Sequence, residues 1–265
     1  MTLSRRTRWV LGLISAGVLT FIYFPLVVVV INSFNASKVF SWPPTSWTLE
    51  WWQKAATNEG VRAALVTSIK AGLGATTIAI ILGAMISFAV SRYRFFGRET
   101  ISFVVILPIA LPGIITGIAL NSAFNTVLVP LGISFGLFTV ILGHATFCIV
   151  VVFNNVLARL RRSGTNLEEA AMDLGANELV TFWKITFPLI FPGIMAAALL
   201  AFSLSIDDFV ITNFVSGTSN TFPIWTWSII KNALPPQINV VGSIIFLSAV
   251  AIVLITTLRT GRAPR

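Results

Sequence analysis

The chain has 265 residues, of which 56% are hydrophobic and 10% charged, against roughly 25% charged in soluble domains. That composition excludes an ordinary water-soluble protein and points to a membrane as the solvent. A formal charge of +9 does not indicate nucleic-acid binding, because the basic residues form short clusters beside apolar runs and do not line one soluble face.

Runs of about 20 predominantly apolar residues, long enough to cross a bilayer, recur along the chain. They predict six helices, over Trp9 to Ile31, Ala63 to Val90, Ile101 to Ala123, Leu137 to Leu157, Leu189 to Val215 and Val240 to Leu258. A backbone in lipid must satisfy its own hydrogen bonds, so the expected fold class is all-α. Ser4-Arg5-Arg6 before the first run resembles a twin-arginine export signal. The run is too long for a signal h-region and shows no clear small-residue cleavage site, so it is read as an uncleaved first span. Trp42, Trp47, Trp51 and Trp52 around Pro43 and Pro44 are expected to form an aromatic belt at the membrane interface. Pro108, Pro112, Gly113 and Gly117 predict a kinked third helix packed within the bundle.

Thirteen of the eighteen Lys and Arg residues flank one side: the Arg5, Arg94, Arg161 and Arg262 clusters together with Lys184. By the positive-inside rule both termini are cytoplasmic. Cys148 and His144, each the one residue of its type, offer neither an internal disulfide nor a structural zinc site. They are expected to pack between helices as small polar or polarizable groups. No G-x-x-x-x-G-K-[ST] phosphate loop occurs in the sequence, so ATP is not bound by that route. Energy must come from another subunit or from an ion gradient.

The connection from Arg159 to Phe187 carries its own helical periodicity, with Leu167, Ala170, Ala171 and Leu174 on one apolar face. Asn166 is positioned to cap this helix, with Glu169 reaching back as in a capping box, and Gly175 to end it. A second short helix is expected through Leu179, Phe182, Trp183 and Thr186, broken from the next span by Pro188 and Pro192. Alanines at the centre of the face favour close approach of another protein over burial in lipid.

Glu169-Ala170-Ala171, three residues, Gly175, nine residues, Ile185, one residue, then Phe187-Pro188 resembles the EAA loop of binding-protein-dependent ABC importer permeases. The family pattern E-A-A-x3-G-x9-I-x-L-P is departed from only at Phe187. The resemblance implies that 159–187 is a cytoplasmic coupling loop, with Glu169, Ala170, Ala171, Gly175, Ile185 and Pro188 engaging an ATPase subunit. Residues 1–265 would then form a single transmembrane domain with the type I importer permease fold. Ala89 to Arg98, Ser205-Ile206-Asp207-Asp208-Phe209-Val210 and Pro236-Gln237-Ile238-Asn239 look like stretches of spermidine/putrescine importer permeases, although that family often has an acid where Gln237 stands.

Asp207 and Asp208 fall about 22 Å along the fifth helix from Pro192 at 1.5 Å per residue. Acids at that depth are costly unless they face water, a partner or a cation. They are candidates for a cation pathway, with Trp225 and Trp227 able to offer ring faces to an ammonium group. The bland alternatives are pairing with Lys70 or Lys231 or binding to helix-end amides, and an aromatic belt for the tryptophans. On one helix, adjacent acids lie about 100° apart, so one of them at most faces a pathway squarely.

The resulting expectation is a multi-pass inner-membrane permease subunit importing polyamines such as spermidine and putrescine, and not an enzyme. The resemblance implies a second permease subunit, two cytoplasmic ATPase subunits that hold the ATP and Mg, and an extracytoplasmic binding protein. This chain itself would bind no cofactor or metal, and have no nucleic-acid partner. A similar permease for another small solute is the alternative. A secondary transporter is disfavoured by the lack of an internal repeat, and a membrane enzyme by the lack of a reactive constellation.

Overall fold

The computed structural model describes residues 4–38, 42–230 and 236–260. Its regular elements are helical: α1 (Arg5–Ser33), α2 (Glu50–Thr57), α3 (Glu59–Arg92), α4 (Arg98–Ala110), α5 (Gly113–Val127), α6 (Leu137–Ser163), α7 (Asn166–Asp173), α8 (Glu178–Thr181), α9 (Phe187–Asp207), α10 (Val210–Val215), α11 (Phe222–Ile230) and α12 (Gln237–Thr260). Among the described residues five helical stretches are long and apolar enough to cross a membrane: Arg5–Ser33, Glu59–Arg92, Gly113–Leu131, Leu137–Ser163 and Glu178–Asp207. Gln237–Ala251 is a shorter apolar helix.

Two predicted spans differ from single helices. The third is broken outright at Leu111 and Pro112, with Leu111 extended at φ −84°, ψ 144°. Proline forces the residue before it out of the helical region, and Pro112 then starts α5 as its cap. The fifth ends at Asp207, where Asp208 turns extended at ψ 116° before α10 begins. Conversely, the break predicted at Pro188 is absent. Phe182–Thr186 forms one wide π turn, closed by the Phe187 amide on the Phe182 carbonyl. The looser ladder accommodates Pro188 in the first turn of α9. At Pro192, inside α9, the Arg159 guanidinium of α6 donates to the Leu189 carbonyl at 3.0 Å.

The chain divides into two compact units, 1–62 with 226–265, and 63–225. In the first, α12 packs on α1 and α2. Trp51 is buried there with Ala55 and Val240, its indole N–H donating to the Asn35 carbonyl at 2.8 Å, and Trp52 stacks on Phe34. Trp42 and Trp47 are exposed, as expected of a belt, whereas Trp51 and Trp52 pack internally. The second unit is built on α6 against α9, with Ala75, Ala79, Cys148, Val152, Ala197 and Ala201 in its core. Small residues on α3 and α9 line this core, as in membrane bundles generally. The Cys148 thiol is buried and donates to the Ala201 carbonyl at 3.4 Å.

Candidate functional site

Between α6 and α9 the chain folds back as a helical hairpin. α7 ends in a Schellman motif: the Gly175 amide bonds the Met172 carbonyl at 2.9 Å and the Ala176 amide the Ala171 carbonyl at 3.0 Å. Gly175 adopts φ +89°, the left-handed conformation expected of it. Leu167, Leu174, Leu179 and Trp183 are exposed on this hairpin, as are Glu169, Ala170 and Pro188, while Ala171 and Ile185 are half-buried. The apolar surface thus faces outward. Phe187, the departure from the family pattern, lies in a run of ring contacts with Phe182, Trp183 and Phe191.

The expected capping box is absent. Thr165, not Asn166, is the residue preceding the helix, and it makes no side-chain cap. The acid that anchors this helix is Glu168, one position earlier than Glu169. Its Oε1 accepts from Arg92 Nη2 at 2.8 Å and from the Thr186 hydroxyl at 2.9 Å. Arg92 Nη2 also donates to the Gly164 carbonyl at 2.9 Å.

Asp207 and Asp208 have different environments. Asp207, the last residue of α9, is exposed and makes no ion pair or hydrogen bond among the described residues. Asp208, outside the helix, accepts the Thr212 amide on Oδ2 at 2.9 Å at the start of α10. The two acids are therefore not successive positions on one helix, because Asp208 is drawn out by the amide it caps. Neither pairs with Lys70, and Lys231 lies outside the described residues.

Behind Asp208 is fully buried His144 of α6. Its Nε2 is 2.7 Å from the Thr212 hydroxyl and 3.4 Å from Asp208 Oδ2, and its Nδ1 is 2.7 Å from the Ser205 hydroxyl. The Thr212 hydroxyl donates its single proton to the Asp208 main-chain carbonyl at 2.7 Å, so it can only accept from Nε2–H. The ring tautomer is thus set by its neighbours. His144 joins α6 to both sides of the α9–α10 break. It packs between helices as expected, but its full hydrogen-bond set makes it a fixed tie. His144→Leu strands the Ser205 hydroxyl in the core and is expected to cost about 2 kcal/mol, read as a lower temperature at which the solubilised protein aggregates. His144→Gln should lose less.

Trp225 stacks on Phe222 with ring centroids 6.0 Å apart, and Trp227, two residues on in α11, is half exposed. Asp207 ends α9 and Asp208 follows it, whereas the tryptophans lie on α11. No group of three or more His, Cys, Asp or Glu among the described residues could hold a metal.

A family model described as "Binding-protein-dependent transport system inner membrane component" matches residues 75–261. The chain is 33% identical over 245 residues to the spermidine/putrescine transport system permease protein PotC of Haemophilus influenzae, covering 92% of this chain and 93% of that protein. It is 36% identical over 253 residues to the putrescine transport system permease protein PotI of Escherichia coli K12, covering 94% and 89%. Among solved structures, a bacterial ABC transporter involved in the import of the acidic polysaccharide alginate matches with TM-score 0.65 at 17% identity, over 100% of both chains. The fold is therefore that of an ABC importer permease.

Proposed function

The chain belongs to the family of binding-protein-dependent transport system inner membrane components, and from that premise we propose that it carries polyamines into the cytoplasm as one permease subunit of an ATP-driven importer. Similarity to polyamine permeases along nearly the whole chain carries the substrate reading. The chemistry agrees with it: Asp207 is an acid with no partner among the described residues, at the end of a membrane helix, suited to a cationic solute. Asp208 supports the same place indirectly, and Trp225 and Trp227 offer ring faces nearby in sequence.

In this reading the hairpin docks a cytoplasmic ATPase through Leu167, Ala170, Ala171 and Leu174, with Glu169 at its rim and Gly175 fixing its end. Ile185 and Pro188 lead its motion into α9. A second permease subunit completes the pathway, an extracytoplasmic binding protein delivers the substrate, and ATP and Mg are held by two ATPase subunits. Both termini and the hairpin are cytoplasmic.

The test is reconstitution of the full complex in liposomes with its ATPase and binding protein. ATP-dependent accumulation of labelled putrescine or spermidine is expected. Accumulation of neither, with active ATP hydrolysis, would assign the subunit to another solute, and uptake driven by an ion gradient without ATP would remove the importer reading. Orientation is checked separately with single cysteines at Ser163 and Ser46. Cys148 is fully buried and is replaced to remove any background. In intact cells an impermeant reagent should label position 46 and spare position 163; labelling at 163 inverts the topology.

A further inference from the structure

α3 is separated from the hairpin by more than seventy residues of chain, since the contact between Arg92 and Glu168 spans 76 positions. Peptide bonds tie the hairpin to α6 and α9 alone. At the end of α3, however, Arg92 and Glu168 form an ion pair whose side chains are only 11% and 13% exposed. Thr186, itself buried, closes the arrangement by donating to the same carboxylate oxygen. Arg92 Nε is buried without a hydrogen-bond partner among the described residues, so the guanidinium accepts incomplete solvation in order to reach both Glu168 and the Gly164 carbonyl. Phe88, one turn back on α3, meets Phe182 of the π turn edge to face at 5.6 Å. These contacts place three separate pieces on one oxygen: the end of α3, the first turn of α7, and the turn that leads into α9.

We infer that Arg92, Glu168 and Thr186 form a latch that makes α3 move with the coupling hairpin, so that a displacement of the hairpin reaches three membrane helices and not two. They are positioning residues. A partly buried ion pair resists separation because removing either partner strands the other charge away from water. The π turn has a role in this arrangement, since it turns Thr186 toward Glu168 while the chain continues unbroken into α9. Without the latch α3 would meet the hairpin through ring contacts such as Phe88 on Phe182, which can slide; its buried Ser87 hydroxyl donates to the Phe153 carbonyl of α6 and not to the hairpin. The inference rests on the proposed docking of an ATPase to the hairpin.

The experiment uses the full reconstituted complex with Glu168→Gln, Thr186→Val and the conservative Thr186→Ser. Three quantities are read: ATPase co-purification, ATP hydrolysis, and substrate accumulated per ATP hydrolysed. Glu168→Gln and Thr186→Val should retain the ATPase and hydrolyse ATP while accumulating about tenfold less substrate per ATP, and Thr186→Ser should match the wild type. A purely structural role would lower the yield of complex and leave that ratio unchanged. An unchanged ratio in Thr186→Val overturns the latch, and this variant decides the matter if Glu168→Gln fails to assemble. Failure of the wild-type chain itself to retain an ATPase would overturn the docking reading beneath it.

Discussion

Gly175→Val is expected to reduce uptake to about a tenth or less while the protein still inserts and assembles. The reason is conformational. A Cβ at Gly175 would meet nothing within 4 Å, so crowding plays no part, but the residue holds φ +89°. An L-residue pays roughly 1–2 kcal/mol to adopt that region, a β-branched one the most, and about 1.4 kcal/mol is a tenfold loss of the correctly folded hairpin end. The graded series separates this cause from others: Gly175→Asn should transport best and Gly175→Val worst, because asparagine tolerates the left-handed cap. The exposed Glu169 provides an independent probe of the same surface, since Glu169→Lys reverses a charge without touching the backbone. Normal coupled hydrolysis in both Gly175→Val and Glu169→Lys would reduce the hairpin to a surface feature.

Asp207→Asn should slow polyamine uptake at least about tenfold with the complex intact. At an effective dielectric near 20, a carboxylate about 4 Å from an ammonium contributes roughly 4 kcal/mol before desolvation is subtracted, so a third of that surviving is enough. Asp208→Asn should act differently. Its carboxylate is committed to the Thr212 amide and lies beside His144, so the loss is expected in the stability of the α9–α10 break more than in the rate per intact complex. Transport assays beside size-exclusion profiles of the same preparations distinguish the two. Wild-type rates in both single variants and the double variant would remove the acids from the pathway and leave the polyamine reading without support from this chain's chemistry.

The helices and the hairpin are legible in the sequence because each depends on local information: apolar runs, a small-residue face, and a glycine at a helix end. The Gly175 cap follows from one residue and its neighbours, and the structure has the conformation and both hydrogen bonds. What escapes a linear reading is the choice among adjacent polar residues. Glu168 and Glu169 differ only in which one faces Arg92, 76 positions away from the first, and Asp207 and Asp208 differ only in which one meets an amide four residues on. Periodicity places both acids on one continuous helix, but the amide of Thr212 ends that helix between them. His144 carries no local signal at all, since its partners Ser205 and Thr212 lie 61 and 68 positions away. Pro188 misleads for the opposite reason: a proline commonly ends a helix, and here a single π turn absorbs it.

The interruption at Leu111 and Pro112 bears on how the protein survives its own synthesis. α4 has 13 residues, about 20 Å at 1.5 Å per residue and short for a bilayer, whereas α5 runs on through Val129–Leu131 to give the 19-residue stretch Gly113–Leu131 that is long enough. Where they meet, the Pro112 carbonyl takes the Ile115 and Thr116 amides, while those of Gly113 and Ile114 have no helical acceptor and cannot be left facing acyl chains. Yet Leu107, Leu111, Ile114 and Ile115 around the opening are all exposed, so the described residues leave this rim largely open. In the function proposed above, a copy made without a second permease subunit carries those two amides unshielded. In that reading, balanced production of the two subunits is a requirement written into one proline.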